Sequence, residues 1–277
     1  MKHILLPTDF SDNAWSAIVY AVKLYKYEVC TFYLLHANPL TASSLSNLSD
    51  VYLKNTIQQC KRQLEEVKDQ IESSDANANH SFETVLKLID LQVAVKAHIA
   101  ENPIDLIIMG TKGTSRNKQL FFGSNTTRLV NTIKICPILI IPDQYDYKPL
   151  KQIVFSTDLN RFYTDLEIKT INDFTYDNNA TLRVVNIQVN DNLAPIQQYN
   201  LSILKKGLQG FKTHYHSVPN YNKKAEIINT FIQDLNIDLL IMVNYKHSIM
   251  ERFLNEPVIK KIGFNPSIPF LVIPDNQ

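Results

Sequence analysis

Short, almost wholly apolar runs alternate along this chain with longer segments whose apolar residues recur every three or four positions. Runs of the first kind are typical of buried strands, and segments of the second kind are typical of amphipathic helices. In the first half of the chain, strands are predicted at residues 4–6, 31–35, 82–87, 104–109 and 138–141. Helices are predicted between them, at residues 13–25, from residue 49 or 50 through 71, and at 90–101 and 125–132.

This alternation of strands and helices predicts an α/β fold. Parallel strands need a crossover between them, which is usually a helix, so the order of elements indicates βαβ units. The strands are apolar without polar alternation, so both of their faces are expected to be buried, as in a doubly wound parallel sheet. In such sheets, ligands bind at the carboxyl ends of the strands, where the strand order reverses.

The second half of the chain repeats the first. Three segments return in the same order. KHILLPTD at residue 2 returns as KQIVFSTD at residue 151, and IDLIIM at residue 104 returns as IDLLIM at residue 237. PILIIPD at residue 137 returns as PFLVIPD at residue 269. Such a set of matches indicates duplication. We therefore predict two tandem five-stranded sheets, in domains at residues 1–143 and 150–277, joined by a polar linker at 143–149.

The composition fits two globular domains. The chain has 277 residues, of which 45% are apolar and 20% are charged, and its longest apolar stretches are too short to span a bilayer. Its first residues run into a strand and then into acidic residues, unlike a signal peptide. A net charge of +1 gives no general attraction for DNA or RNA. We expect a cytoplasmic protein with neither a membrane nor a nucleic acid as its partner.

The cysteines and one histidine pair were the candidate metal ligands of the chain. Cys30, Cys60 and Cys136 are far apart and lie in apolar patterns, which favours buried reduced thiols over a disulfide or a metal site. His214 and His216 lie two residues apart on a predicted strand, so they point to the same face, as two metal ligands would. No cysteine or third histidine is close to them in sequence, which favours a solvent-facing pair on an edge strand.

The candidate binding chemistry lies in a cluster of glycines. Half of the chain's six glycines fall within fourteen residues, at Gly110, Gly113 and Gly123, and Ser124 follows the last of them. They lie between a strand end and a helix start, where free N–H groups and the helix dipole favour a phosphate. Glycine also lets the backbone approach a ligand closely. The alternative is an ordinary strand-to-helix loop that contains glycine.

The spacing of these glycines resembles that of a known family. The sequence has no Gly-Lys-Ser/Thr and no G-x-G-x-x-G, which excludes P-loop NTPases and Rossmann dehydrogenases. What is present is G-x-x-G, nine residues, then G-S, as in the ATP-binding subgroup of the universal stress protein family. The resemblance covers nearly the whole chain, but the motif lies in the first half only. It implies an adenine-nucleotide alpha-hydrolase-like fold with strand order 3-2-1-4-5.

By this resemblance, the phosphates of ATP, or of ADP or AMP, would lie at the glycines. Gly110 and Gly113 would pass over the phosphates, while Gly123 and Ser124 would hold them at the start of a helix. The resemblance also places the nucleotide against the P-T-D segment and the end of the second strand. The other residues expected at the site are Pro7, Thr8, Asp9, His36, Ala37, Met109, Thr111, Lys112, Asn125 and Thr126.

Two of these residues have alternative roles. Asp9 follows the first strand, where a carboxylate can accept from a ribose hydroxyl or meet a nucleotide-bound Mg²⁺. It can instead cap the following helix, although Ser11 and Asp12 are also available as caps. His36 can stack on adenine or hydrogen-bond to it, or it can be an ordinary polar strand end. Lys112, between the first two glycines, is the cation best placed for a triphosphate.

The second half has lost the glycine motif. Residues 110–113, GTKG, are replaced by VNYK at 243–246, and Gly123-Ser124 aligns with Asn255-Glu256. Bulky side chains would obstruct a phosphate, and Glu256 would place a negative charge where the phosphate oxygens belong. Although Asp158 persists, we expect no ATP there in the family's manner. This half would stabilise the first, bind something else or carry a partner surface.

The expected function is that of an ATP-binding module in stress response or signalling, with little or no turnover and no catalytic residues. One alternative is a slow ATP hydrolase or a nucleotidyl-transfer enzyme, but no nucleophile with a paired base lies beside the glycines. A second is a nucleotide-free interaction module, against which the intact glycine spacing argues. The resemblance further implies that the halves pair through their last strands, residues 138–141 and 270–273, and that two chains form a homodimer.

Overall fold

The computed structural model of the protein describes residues 1–39, 50–111, 123–188, 192–219, 224–245 and 267–275. Backbone contacts divide the chain into two compact units, with the main boundary between Tyr147 and Lys148. We call the part before this boundary unit 1 and the part after it unit 2. No helix among the described residues is long and apolar enough to cross a membrane.

Unit 1 is a parallel sheet whose strands alternate with helices along the chain. Its strands are β1 (Lys2–Pro7), β2 (Cys30–Ala37), β3 (His80–Lys87), β4 (Leu106–Gly110) and β5 (Ile138–Ile141). Its helices are α1 (Asp12–Leu24), α2 (Asp50–Ser74), α3 (Leu91–Glu101) and α4 (Ser124–Thr132). The strands pair in parallel in the order β3-β2-β1-β4-β5. The predicted α/β class and strand order are confirmed.

Unit 2 repeats this arrangement. Its strands are β6 (Gln152–Thr157), β7 (Thr181–Gln188), β8 (Thr213–Pro219), β9 (Leu239–Asn244) and β10 (Phe270–Pro274). Its described helices are α5 (Asp165–Asp177), α6 (Pro195–Gly207) and α7 (Lys224–Asp234). Its strands also pair in parallel, in the order β8-β7-β6-β9-β10. In each unit, therefore, the first and fourth strands are neighbours at the reversal of the strand order.

The central strands of both units are buried on both faces. Ile4, Leu5 and Leu6 of β1 are 0% exposed, as are Ile153 and Phe155 of β6. Successive strand residues point to opposite faces, so helices must cover each sheet on its two sides. Burial of each such side chain stabilises the fold by about 1.5–3 kcal/mol.

The limits of β1, β2, β3 and β4 differ from the predicted ones by up to two residues, and those of β5 are as predicted. β2 continues beyond Leu35 because His36 and Ala37 still pair with β3. β4 begins at Leu106, later than predicted, because Ile104 lies in a turn in which its N–H donates to the Asn102 carbonyl at 2.9 Å. The strand-to-helix alternation itself is as predicted.

The cysteines are buried as the sequence favoured, whereas the histidine pair does not face solvent as predicted. Cys30, Cys60 and Cys136 are buried and free, and burial raises the pKa of Cys30 to about 11 and that of Cys136 to about 12. His214 and His216 lie on β8, at the end of the strand order of unit 2, but both are half-buried rather than solvent-facing, because this face of the strand packs against α7, where the Phe231 ring lies 5.1 Å from that of His216. Among the described residues there is no group of three side chains that could hold a metal ion.

Candidate functional site at the strand ends

A tight turn joins β1 to α1 in unit 1. The Thr8 hydroxyl accepts from the N–H of Phe10 at 3.1 Å, and Phe10 has a left-handed backbone with φ of 64°. The Asp9 carboxylate accepts from the N–H and the hydroxyl of Ser11, at 3.2 and 2.6 Å. The Ser11 oxygen in turn accepts from the N–H of Ala14 at 3.3 Å. Ser11 is therefore the cap of α1, and Asp9 holds that cap in place.

His36 lies beside this turn, at the end of β2. Its Nδ1 is 2.9 Å from the carbonyl oxygen of Thr8, and because a carbonyl can only accept, Nδ1 carries the hydrogen. Its ring centre is 4.4 Å from that of Phe10. In unit 2, Asn186 donates to the carbonyl of Thr157 at 3.1 Å, which is the same bond made by a different side chain. His36 thus stabilises the turn, and its contact with adenine stays a prediction.

Gly110 ends β4 where that strand meets α1. A Cβ atom at this position would lie 2.3 Å from Oδ1 and 2.9 Å from the main-chain oxygen of Asn13. These distances are too short for any side chain, so the first turn of α1 already requires glycine here. The glycine spacing predicts a phosphate contact at Gly110, and the structure adds a packing reason for this glycine.

Asn13 connects the ends of three elements, a role that the sequence pattern does not predict. It is 5% exposed, and its amide donates to the carbonyls of Ile141 and Pro142 at 3.5 and 3.4 Å. Its Oδ1 accepts from the hydroxyl of Thr111 at 3.3 Å. A polar residue in the first turn of an amphipathic helix is usually exposed, so the pattern contained no sign of this role. Asn13 fixes the point at which the chain leaves β4.

The start of α4 is tied to the end of β4. The N–H of Gly123 donates to the carbonyl of Thr111 at 2.7 Å, and the Gly123 carbonyl accepts from the N–H of Thr127 at 3.0 Å. Thr126 is 2% exposed, and its hydroxyl lies 3.1 and 3.2 Å from the carbonyl oxygens of Gly110 and Thr111. The Thr126 hydroxyl therefore faces inward, and its main-chain N–H is the group that it can offer to a phosphate.

The N-terminus of α4 has the features of an anion site. Gly123 is its N-cap and makes no side-chain capping bond. Ser124 and Asn125 are exposed, and the N–H groups of residues 124–126 precede the first bond within the helix, that of Thr127. Such N–H groups at the positive end of a helix dipole suit a phosphate.

The register of the sheet brings the predicted segments together. Ile4 lies opposite Leu106 and Leu5 opposite Ile107, so the same register, continued, places Thr8 opposite Gly110. The end of β1, with Thr8 and Asp9, and the end of β4, with Gly110 and Thr111, thus lie side by side at the reversal of the strand order.

The remaining predicted site residues differ in what they can contribute. Pro7 is buried at the end of β1, and Ala37 is half-buried at the end of β2. Met109 is 6% exposed within β4, so main-chain groups are what it can present at the strand end. Lys112 and Gly113 lie outside the described residues.

The equivalent edge of unit 2 is filled by its own side chains. The Tyr245 hydroxyl donates to the carboxylate of Asp158, the counterpart of Asp9. Burial and the charge of Asp158 raise the pKa of Tyr245, so the phenol stays a neutral donor. The guanidinium carbon of Arg161 lies 4.7 Å from the centre of the Tyr245 ring. Tyr245 aligns with Lys112, so a phenol bonded to the aspartate replaces a lysine of the glycine loop.

Fold and site together define a doubly wound α/β protein in which a helix with a glycine N-cap begins near the switch point. The sequence profile of the universal stress protein family matches residues 1–142. The chain belongs to this family.

Relatives in other organisms agree with this assignment. Universal stress protein YxiE of Bacillus subtilis is 24% identical over 144 residues, which are 50% of this chain and 97% of the relative. A universal stress protein from Archaeoglobus fulgidus has a structure similar over 98% of this chain and 96% of its own, with 18% identity and a TM-score of 0.72. A putative universal stress protein from Pseudomonas aeruginosa is similar over 99% and 93%, with 13% identity and a TM-score of 0.53. At such identities the structures support the fold, including its extension over both units.

Proposed function

We propose that unit 1 binds an adenine nucleotide, ATP in the first place, where β1 and β4 end. In this proposal the chain is a nucleotide-dependent module of stress response or signalling, with little or no turnover. The observation that carries it is the N-terminus of α4, where Gly123 provides no capping side chain and the preceding loop has the family's glycine spacing. Membership of the universal stress protein family supports the same function.

The described residues fit the parts of such a ligand. The N–H groups of residues 124–126 would bind phosphate oxygens, together with the loop that contains Lys112 and Gly113. Asp9, half-buried beside them, would accept from a ribose hydroxyl or meet a Mg²⁺ ion carried by the nucleotide. His36 and Ala37 lie at the strand end proposed to face the base.

The same residues favour binding over catalysis. Hydrolysis needs a base that is positioned to activate water, and the Asp9 carboxylate is already bonded to the N–H and the hydroxyl of Ser11. A binding protein with at most weak ATP hydrolysis is therefore favoured over a hydrolase or a nucleotidyl-transfer enzyme.

A charge placed at the helix start tests the phosphate site. Ser124→Glu puts a carboxylate in the first turn of α4, where it repels phosphate but suits the helix dipole. The affinity for ATP, measured by isothermal titration calorimetry, is expected to fall about 100-fold, while the chain stays folded. The matched control is Ile196→Glu, which adds the same charge to the exposed first turn of α6 in unit 2. An equal loss in both variants, or in neither, would contradict the proposal.

Two assays separate this function from its alternatives. In the first, the purified protein is denatured and the supernatant is analysed for nucleotides by ion-exchange chromatography. In the second, phosphate release is followed at saturating ATP. Bound nucleotide with negligible turnover is expected. Many cycles per minute, lost in Asp9→Ala, would favour an enzyme, and neither binding nor turnover would favour a nucleotide-free interaction module.

The proposal extends to the assembly and location of the chain. We expect a cytoplasmic protein whose chains associate in pairs, as the family resemblance implies. Sedimentation equilibrium is expected to give twice the mass of the chain, which is 31.8 kDa. A monomer at all concentrations would contradict the proposed homodimer and would not affect the proposal that unit 1 binds a nucleotide.

A further inference from the structure

The loop that follows the first strand is longer in unit 2 than in unit 1. α1 begins three residues after Asp9, whereas α5 begins seven residues after Asp158. The longer loop contains Arg161 and Tyr163. Both side chains return to the strand ends, since the Tyr163 hydroxyl bonds to that of Thr157 and Arg161 reaches the end of β10.

The guanidinium group of Arg161 is surrounded by oxygen acceptors. Its two terminal nitrogens bond to the two oxygens of the Glu167 carboxylate, with Nη1 at 3.2 Å from Oε2. Nη1 also donates to the carbonyl of Phe162 at 2.8 Å, and Nη2 lies 3.5 Å from the Asp275 carboxylate. The Glu167 side chain is 0% exposed and that of Arg161 is 13% exposed. This is the two-pronged pairing that a guanidinium can make and an ammonium cannot.

Two aromatic rings complete the surroundings of this cation. The Arg161 guanidinium carbon is 5.3 Å from the ring centre of Tyr163 and 4.7 Å from that of Tyr245. Both distances are within the range of a cation–π contact. Each ring is held by its hydroxyl, Tyr245 on Asp158 and Tyr163 on Thr157. The rings are thus fixed independently of the cation that they contact.

We propose that the strand ends of unit 2 form a binding site for an alkylguanidinium cation, which the chain fills with its own Arg161. The edge that offers N–H groups to an anion in unit 1 offers two carboxylates and two phenol rings to a cation in unit 2. Three acidic groups, Asp158, Glu167 and Asp275, then repel phosphate from this edge. Arg161 takes the place of a ligand at this edge.

Emptying the site with Arg161→Ala tests this directly. The melting temperature is expected to fall by about 10 °C, because the buried Glu167 carboxylate loses its cationic partner and keeps only the bond from the Thr164 N–H. Ethylguanidinium at about 10 mM is expected to raise the melting temperature of the variant by about 3–5 °C and to leave that of the natural protein unchanged. Ethylammonium, which has the same charge without the planar fork, should give less than half of this rescue.

Three outcomes would overturn the proposal. They are an unchanged melting temperature in Arg161→Ala, equal effects of ethylguanidinium on the variant and the natural protein, and equal rescue by ethylammonium. Since none of these depends on ATP, the result is independent of whether unit 1 binds a nucleotide.

A measurement on the natural protein covers the case in which Arg161→Ala does not fold. The Arg161 Nε is buried and its guanidinium contacts two rings. Its N–H resonance, assigned by comparison with Arg161→Lys, is expected to be shifted upfield by ring currents and to exchange slowly with water. A resonance at the position of a free arginine, with fast exchange, would overturn the proposal.

Discussion

The strand ends of the two units begin with the same turn and then diverge. In unit 1 the Thr8 hydroxyl accepts from Phe10, whose φ is 64°, and in unit 2 the Thr157 hydroxyl accepts from Leu159, whose φ is 57°. Neither phenylalanine nor leucine favours this backbone, so the turn itself is what both halves have kept. The aspartate between each pair, Asp9 or Asp158, is therefore explained first by the fold.

The divergence lies in what comes after the fourth strand of each unit. Unit 1 has Gly110 packed against Asn13, and its next described helix, α4, begins with the N-cap Gly123, which has no side chain to cap it. Unit 2 has Val243 at the same place, followed by a tyrosine that bonds to Asp158. The same framework thus presents main-chain N–H groups in one copy and carboxylates with phenol rings in the other. The contrast teaches that the residues beyond the framework decide which polar groups each edge presents.

The largest stability effect is expected at Gly110. Gly110→Ala places a methyl group 2.3 Å from the Asn13 side chain, and such overpacking should destabilise unit 1 by about 3 kcal/mol. Urea unfolding followed by tryptophan fluorescence reports on this unit, because the chain's one tryptophan, Trp15, lies in α1.

A second substitution identifies the cause of this loss. The two atoms closest to the new methyl group belong to the Asn13 side chain, and Asn13→Ala removes them but keeps the main-chain oxygen at 2.9 Å. The double variant, Asn13→Ala with Gly110→Ala, should therefore recover part of the stability that Gly110→Ala loses. Val243→Ala is the matched change in unit 2 and should leave the fluorescence transition of unit 1 unchanged. A tolerated Gly110→Ala would show that packing does not require this glycine.

The sequence was sufficient for the framework and insufficient for these contacts. Continuous apolar runs located the described strands of unit 1, because a strand that is buried on both faces has no polar alternation. It could not show that Asn13 is buried or that Glu167 is 0% exposed, since polar residues in a first helical turn are usually exposed caps. The role of Arg161 depends on residues from three separate segments, and only the fold brings these together.

Acid is expected to destabilise unit 1 through a buried histidine. His98 is 4% exposed, and its Nδ1 accepts from Asn102 at 3.3 Å. Burial, and then the charge of Lys87, lowers the pKa of His98 below the ordinary value of 6.5. The folded state therefore disfavours the proton, so the stabilisation is complete above about pH 6.5 and is lost as the pH falls through the lowered pKa.

Substitution of His98 measures how much this residue contributes to the loss of stability in acid. Between about pH 7 and about pH 5, His98→Gln should lose about 1 kcal/mol less unfolding free energy than the natural protein, measured by the Trp15 fluorescence. His216→Gln is the matched change in unit 2, where burial also lowers the pKa but the side chain is less buried. Equal pH profiles for the natural protein and His98→Gln would refute this assignment.

The smallest effect is expected at His36. Unit 2 makes the corresponding bond with Asn186, so His36→Asn should preserve the bond to the Thr8 carbonyl and change the stability by less than about 0.5 kcal/mol. His36→Leu removes the donor and should destabilise unit 1 by about 1 kcal/mol. If His36 also contacts adenine, His36→Asn weakens ATP binding at unchanged stability. A large loss of stability in His36→Asn would show that asparagine cannot replace His36 in this turn, and that the turns of the two units are not equivalent.

The number of nucleotides that each chain holds tests the asymmetry of the two edges most directly. Native mass spectrometry in the presence of ATP is expected to show one nucleotide per chain, which is lost in Ser124→Glu and retained in Ile196→Glu. Two nucleotides per chain, or one that survives Ser124→Glu and is lost in Ile196→Glu, would contradict the account.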